Sequence, residues 1–211
     1  MPDETRIHEE IIEAGKRLYQ KGFVAANDGN ISARLDGGRI CITPSGVCKG
    51  DMDPGMMVVV DGDGNVLSGD WKPSSETKMH LAVYKTRPDV QAIVHAHPQK
   101  ATAFAVAGLP LDKPTLPEAV LTLRKIAFSE YGTPSTNQVP EAVVRVIGDA
   151  GAVLLANHGA LTVGKGVMET LEHFAAITLY ARLLGGEREL DPTQMDELLR
   201  IRREVFGKTD A

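Results

Sequence analysis

Ala-Val-Leu-Leu-Ala-Asn-His-Gly, residues 152–159, joins an unbroken apolar run to a polar turn. An apolar run without polar alternation predicts a β-strand that is covered on both faces. A second run, residues 90–97, is stopped by Pro98 and is also predicted to be a strand. Both runs lead into histidines, and the ends of strands are where α/β proteins collect their functional groups.

Helices and further strands are predicted around these two runs. The predicted helices cover residues 6–21, a segment that begins at Ser74 or Ser75, and residues 102–107, 138–147, 166–184 and 192–206. Two hairpins are predicted, residues 30–35 with 39–43 and residues 56–60 with 66–67, and Leu161 and Val163 indicate a short packed strand. This interleaving without a long linker predicts one domain over residues 1–211, of the α/β or α+β class.

Composition and charge exclude several classes of protein. The 211 residues are 43% apolar and 24% charged, which is typical of a folded globule and not of a disordered or collagenous chain. The net charge of −5 gives no electrostatic reason to expect nucleic acid, and no apolar run reaches the roughly 18 residues of a membrane span. Two cysteines, Cys41 and Cys48, and an acidic first segment predict a cytoplasmic protein without a secretory signal.

The histidines at the strand ends predict a metal site. His95 and His97 are two residues apart on a strand, so both side chains project from one face with Cβ atoms about 6.5–7 Å apart. Such a pair alone is about as compatible with a packed or surface role as with metal binding. His158 supplies a third imidazole, and three neutral imidazoles with one open position are typical of a catalytic zinc. An ion there could polarise a substrate oxygen and stabilise an enediolate.

Polar turns elsewhere predict an acid/base group and an anion site. Glu76 falls at the first turn of a predicted helix, where Ser74 or Ser75 could simply cap the helix and Glu76 complement its dipole. His80, one turn later, could orient Glu76 or pack against the sheet. The turns 28–30 and 43–47 are ordinary when taken singly. Together with residues 73–77 they can supply amides and small side chains to a phosphate.

Two attractive motifs are rejected. Residues 61–65 imitate the start of a calcium loop, but Val66 and Lys72 stand where that loop needs Gly and Glu. Residues 159–165 approach a phosphate-binding P-loop, yet Gly166 follows where a hydroxyl is required for Mg²⁺.

The order and spacing of these segments resemble the class II aldolase/adducin family over about residues 5–185, and most closely its L-fuculose-1-phosphate aldolase-like members. The resemblance implies a single three-layer α/β/α domain with a mainly antiparallel central sheet. It implies a homotetramer with active sites between subunits. It also implies Zn²⁺ on His95, His97 and His158, although imidazole sites accept other divalent first-row ions.

Roles for further residues follow from the same resemblance. Glu76 corresponds to the family's general acid/base, and Glu in place of Asp favours aldolases over epimerases. Tyr131 corresponds approximately to a tyrosine delivered to the neighbouring subunit's site, with a packing role in an interface left open. The C-terminal tail departs from the fuculose-phosphate aldolases, because it offers Phe206 where they present a tyrosine, so aldehyde specificity stays open. The family's phosphate-binding positions hold Asn30, Ser45, Gly46, Ser74 and Ser75.

The expected reaction is zinc-dependent cleavage of a phosphorylated ketose, a ketose 1-phosphate, to dihydroxyacetone phosphate and a short aldehyde. Three other readings stay open. A 4-epimerase, dehydratase or decarboxylase of the same superfamily would use similar chemistry. A non-catalytic adducin-like scaffold would share only the architecture, and a Schiff-base aldolase would use a lysine.

Overall fold

The computed structural model describes residues 4–164 and 167–206. Within these residues eight strands form one sheet: β1 (Asn30–Arg34), β2 (Ile40–Ile42), β3 (Val58–Val60), β4 (Val66–Ser68), β5 (Ala92–Ala96), β6 (Ile126–Ser129), β7 (Ala152–Leu155) and β8 (Gly159–Val163). Their order is β4-β3-β2-β1-β5-β8-β7-β6, and all neighbours are antiparallel except β6 and β7. The prediction of a mainly antiparallel sheet is confirmed, as are both hairpins and the packed strand around Leu161.

The α-helices of the described residues are α1 (Glu4–Gln20), α2 (Thr77–Thr86), α3 (Gln99–Ala107), α4 (Pro117–Leu123), α5 (Gln138–Ile147), α6 (Val167–Leu183) and α7 (Pro192–Phe206), and two short 3-10 helices cover Asp36–Gly38 and Pro54–Met56. The predicted bounds of α5 and α7 are confirmed. The predicted start of α6, Gly166, lies outside the described residues, as does Lys165 of the rejected P-loop. None of the helices described is both long and apolar enough to cross a bilayer.

Two elements were not predicted, α4 and β6. Pro110, Pro114 and Pro117 predict a turn here, and the short segments around them carry little periodic signal. Pro117 begins α4, and at that position the missing N–H of proline costs nothing. The strand after it, β6, is short and lies at the sheet edge, where its two central residues are only half-buried. It runs parallel to β7 because α5 crosses between them.

Apolar side chains cover both faces of the sheet. Ile40 and Ile42 belong to one buried cluster and Cys41, between them, to the other. Successive side chains of a strand project to opposite faces, so the two clusters lie on opposite sides. Helices α2 and α5 contribute to the cluster of Ile40, whereas α1, α3, α4 and α6 contribute to the cluster of Cys41.

The sheet topology brings the predicted site residues together. In the register of β1 with β5, Asn30 lies opposite His95. On the other side of β5, β8 follows directly from β7 through a turn that contains His158. Segments separated by about sixty residues therefore meet around the end of β5.

Candidate metal centre and active site

Three imidazoles converge at the end of β5. One ring nitrogen from each of His95, His97 and His158 lies within 4.8 Å of the other two. The Nε2 atoms of His95 and His97 are 3.2 Å apart. The ends of β5 and of the β7–β8 turn thus place the three predicted ligands around a common point.

Contacts behind the rings orient them. His95 Nδ1 lies 3.0 Å from the carbonyl oxygen of Ala160, so Nδ1 carries the proton and the Nε2 lone pair faces the cluster. His97 Nδ1 is 3.5 Å from Asp28 Oδ2. Burial lowers the pKa of His95 to about 4 and also lowers the pKa of His158. The rings of His95 and His158 are consequently neutral near pH 7, as metal ligands must be.

The donor set fits a divalent metal ion. Two nitrogens at zinc distances in a tetrahedral shell are about 3.3 Å apart, close to the separation of the two Nε2 atoms given above. Glu76 Oε1 and His158 Nδ1 are buried polar atoms without a hydrogen-bond partner in the described structure. Buried polar groups are normally satisfied, and a bound ion or substrate would supply the missing partner of Glu76 Oε1, which faces the cluster.

Glu76 faces this cluster from the start of α2. Its carboxylate oxygens lie 3.2 Å from His95 Nε2 and 3.5 Å from His158 Nε2. Burial alone would raise the pKa of Glu76, but the neighbouring His95 and a hydrogen bond from Asn30 overcome that effect and the net direction is downward. Glu76 is therefore a carboxylate, able to accept a proton next to the imidazoles.

Neither Ser74 nor Ser75 is the N-cap residue of α2, contrary to the prediction. Glu76 itself occupies the N-cap position of α2, and its side chain makes no capping hydrogen bond. Ser74 instead closes the turn, since its Oγ accepts from Glu76 N and its carbonyl oxygen accepts from Thr77 N. The carboxylate of Glu76 is thereby left to face the imidazoles.

Two of the three segments expected to bind phosphate, residues 43–47 and 73–77, lie side by side. Pro44 and Pro73 form an isolated antiparallel bridge, and Ser45 N donates to the carbonyl oxygen of Lys72 at 2.9 Å. Gly46 and Ser75 are exposed, whereas Ser74 is buried.

Asn30 is only 4% exposed, and its side-chain contacts are with Glu76 and His80. Asn30 therefore lies next to Glu76, and both ends of its side-chain amide are hydrogen-bonded to other residues of the protein.

Tyr131 lies just after β6 and is 58% exposed. Its sequence neighbours Glu130 and Gly132 line a small cavity together with His158. Helix α7 ends at Phe206, whose side chain lies outside the described part of the chain.

Two residues near the site were missed. Lys49 is 1% exposed, and its ammonium donates to the carbonyl oxygens of Val47, in the 43–47 turn, and of Asn27, the residue before the 28–30 turn. The sequence predicts Asp28 only as a turn residue, whereas in the structure its carboxylate faces His97. The contacts of Lys49 with Asn27 and of Asp28 with His97 join segments more than twenty residues apart, so a single sequence carries no local signal for them.

Comparison with known proteins identifies the family. Residues 9–184 match the family model described as class II aldolase and adducin N-terminal domain. A 3-oxo-tetronate 4-phosphate decarboxylase from Escherichia coli O6:H1 is 30% identical over 205 residues, covering 94% of this chain and 96% of the relative. An L-fuculose phosphate aldolase from Methanococcus maripaludis strain C7 is 38% identical over 152 residues, covering 72% and 81%. The solved structure of an L-fuculose 1-phosphate aldolase superposes with a TM-score of 0.86 at 31% identity, covering 92% of this chain and 94% of that one. The chain belongs to the class II aldolase and adducin family.

Proposed function

We propose that this protein is a zinc-dependent aldolase that cleaves a ketose 1-phosphate to dihydroxyacetone phosphate and a short aldehyde. The observation that carries the proposal is the placement of the Glu76 carboxylate against three converging imidazoles. The similarity to L-fuculose phosphate aldolases supports the same reaction class.

His95, His97 and His158 would hold the metal ion. When bound, the ion supplies a Lewis acid that stabilises negative charge on the substrate's oxygens. Glu76 moves the proton at the carbon that becomes nucleophilic, with Oε1 free of other hydrogen bonds. Ser45, Gly46, Ser74 and Ser75 hold the phosphate group, and Asn30 stays a predicted phosphate ligand beside its contacts with Glu76 and His80. Tyr131, reaching a neighbouring subunit, serves the aldehyde oxygen.

Decarboxylation of a phosphorylated sugar acid is the second candidate. It is favoured by the 3-oxo-tetronate 4-phosphate decarboxylase from E. coli O6:H1, which this chain matches over nearly the full length of both proteins. Loss of carbon dioxide and loss of an aldehyde both leave electrons on the carbon next to a carbonyl, so the same imidazoles and carboxylate suit both reactions. Decarboxylation needs no group to serve an aldehyde oxygen, so it would not require Tyr131.

A substrate screen with two variants tests these candidates. The zinc-loaded protein is incubated with ketose 1-phosphates and with 3-oxo sugar-acid 4-phosphates, and aldehyde and carbon dioxide are measured separately. We expect aldehyde release that Glu76→Gln abolishes, with zinc content unchanged by metal analysis. Release of carbon dioxide and a phosphorylated ketone, with no aldehyde, would establish the second candidate. Wild-type turnover in Glu76→Gln would contradict the assigned role of Glu76.

We also propose a three-layer α/β/α domain spanning residues 1–211 and a cytoplasmic homotetramer. The helices on both faces of the sheet support the layers, and the free thiols of Cys41 and Cys48 support a reducing compartment. Exposed apolar side chains near the end of α6, Leu183 and Leu184, support a subunit contact. Light scattering that gives the mass of one chain would rule out the tetramer.

A further inference from the structure

A chain of buried hydrogen bonds runs from Glu76 into the interior between β1 and α2. Asn30 Nδ2 lies 2.8 Å from Glu76 Oε2, and Asn30 Oδ1 lies 2.6 Å from His80 Nε2. Ser32 Oγ lies 2.6 Å from His80 Nδ1 and 2.9 Å from the Tyr84 hydroxyl. We call Asn30, Ser32, His80 and Tyr84 the polar ladder.

The ladder can form because two residues along a strand span nearly the same distance as four residues along a helix. Asn30 and Ser32 alternate along β1 and share one face, while Glu76, His80 and Tyr84 follow at intervals of four residues along α2 and its N-cap. Two strand residues advance about 6.6 Å and four helical residues about 6.0 Å, so the side chains stay in register. The next residue on that face of β1, Arg34, places its guanidinium 4.7 Å from the centre of the Tyr84 ring.

The direction of each hydrogen bond follows from chemistry. The carboxylate of Glu76 can only accept, so Asn30 presents its Nδ2 to Glu76 and its Oδ1 to His80. His80 must then donate from Nε2. Burial lowers the pKa of His80 to about 3, so the ring is neutral and Nδ1 accepts from the Ser32 hydroxyl. Ser32 Oγ accepts in turn from Tyr84, whose burial raises its pKa and keeps the phenol protonated.

The ladder lies within apolar surroundings. All four members are at most 4% exposed, and Met79, Val83 and Ile93 belong to the apolar cluster on the same side of the sheet. A buried polar network is costly if any member loses its partner, and a fully connected one holds a single arrangement. Such a network fixes the orientation of the group that it bonds at its end, here the carboxylate of Glu76.

We propose that the polar ladder is a positioning device for Glu76. It holds the Asn30 amide with Nδ2 toward Glu76 Oε2, so that Oε1 stays without a hydrogen bond and faces His158 Nε2 at 3.5 Å. An amide does not ionise near neutral pH, so the ladder orients the carboxylate and does not conduct its proton. The inference deepens the proposed function and rests on it for the role of Glu76.

Steady-state kinetics of three variants test the effect on turnover. His80→Leu removes the donor to Asn30, and we expect kcat to fall about 10- to 100-fold with little change in KM. His80→Gln retains an N–H donor near the position of Nε2 and should recover most of the loss. Val83→Ala, on the same helix and fully buried outside the ladder, is the matched packing control and should keep the wild-type kcat. Equal loss of kcat in His80→Leu and Val83→Ala, or no recovery in His80→Gln, would overturn the proposal.

Neutron diffraction from crystals of the deuterated, zinc-loaded protein supplies a readout that needs no substrate. We expect a deuteron on His80 Nε2, none on His80 Nδ1, and the deuterated Nδ2 of Asn30 directed at Glu76. A deuteron on Nδ1, or an amide turned the other way, would overturn the proposal. If the wild-type protein acts on no phosphorylated sugar or sugar acid, the proposed function fails, and the deuteron positions still decide whether the ladder orients Glu76.

Discussion

Position 159 requires glycine because the His97 ring lies next to it. A Cβ atom added at Gly159 would lie 2.4 Å from His97 Cδ2 and 2.8 Å from the carbonyl oxygen of Ala96. Both separations are too short for non-bonded atoms, and the second involves backbone that cannot easily move aside. Asn157, two residues earlier, has a φ of 56°, a left-handed conformation that asparagine tolerates better than most residues. The turn that carries His158 therefore also makes room for His97.

The substitution Gly159→Ala should damage the metal site. We expect zinc affinity to fall about 10- to 100-fold because the His97 ring is displaced, and the free energy of unfolding to fall by about 1–3 kcal/mol from overpacking. Competition with a chromogenic chelator measures the first effect and urea unfolding the second. Gly62→Ala is the control, since a Cβ at Gly62 meets no atom within 4 Å. Unchanged zinc affinity in Gly159→Ala would contradict the role assigned to His97.

At the scale of elements, the site is assembled from turns held in place by side chains of other segments. Lys49 joins the turns that contain Val47 and Asn27. Burial lowers the pKa of Lys49, with Cys48 and Asp28 opposing that shift. A buried ammonium group costs free energy, and its hydrogen bonds to carbonyl oxygens offset part of that cost.

The lowered pKa of Lys49 predicts a pH dependence of stability. At pH values between the folded-state pKa of Lys49 and its ordinary value of 10.5, this side chain is protonated in more of the unfolded molecules than of the folded ones. The contribution of Lys49 to the free energy of unfolding therefore rises with pH over this range. We expect wild-type protein to gain stability relative to Lys49→Met as pH rises from neutrality toward 10.5. Urea unfolding of both proteins at several pH values measures the difference. Lys21→Met, at an exposed position, should show no such trend, and a difference for Lys49→Met that is independent of pH would disprove the prediction.

At the scale of the whole molecule, the fold and the metal site depend on different interactions. The two apolar clusters span the sheet and its helices, whereas the imidazoles lie at the end of β5. The metal-free protein should therefore stay folded. A ligand that binds only the folded state adds about 2.7 kcal/mol at a free concentration one hundred times its Kd, which raises Tm by roughly 5–10 °C in a chain of this size.

Metal removal tests this expectation. After dialysis against a chelator, we expect a cooperative unfolding transition at reduced Tm, and recovery of the wild-type Tm on adding zinc. Calcium, which prefers oxygen ligands, should produce no recovery. A Tm that zinc does not change, or loss of the sheet's circular dichroism on chelation, would contradict the separation of fold and site.

Local sequence patterns predicted the helices and strands that have regular apolar spacing and clear boundary residues. The apolar run of β7, the strand that ends at the two histidines, and the bounds of α5 and α7 follow from periodicity and from proline and glycine positions. The strand ends predicted the three imidazoles as a metal site, the resemblance to the family assigned Glu76 the acid/base role beside them, and the structure brings all four together. Short elements such as α4 and β6 escaped because their few residues carry too little periodic signal.

Tertiary structure alone decided how the site is oriented. The contacts of Asp28 with His97, of Lys49 with Asn27, and of Asn30 with Glu76 and His80 each join segments that are distant in sequence. The residues of the polar ladder are visible in the sequence at spacings of two and four, but nothing there says that β1 and α2 face each other. Side-chain orientation depends on which surfaces pack together, and packing is a property of the folded chain as a whole.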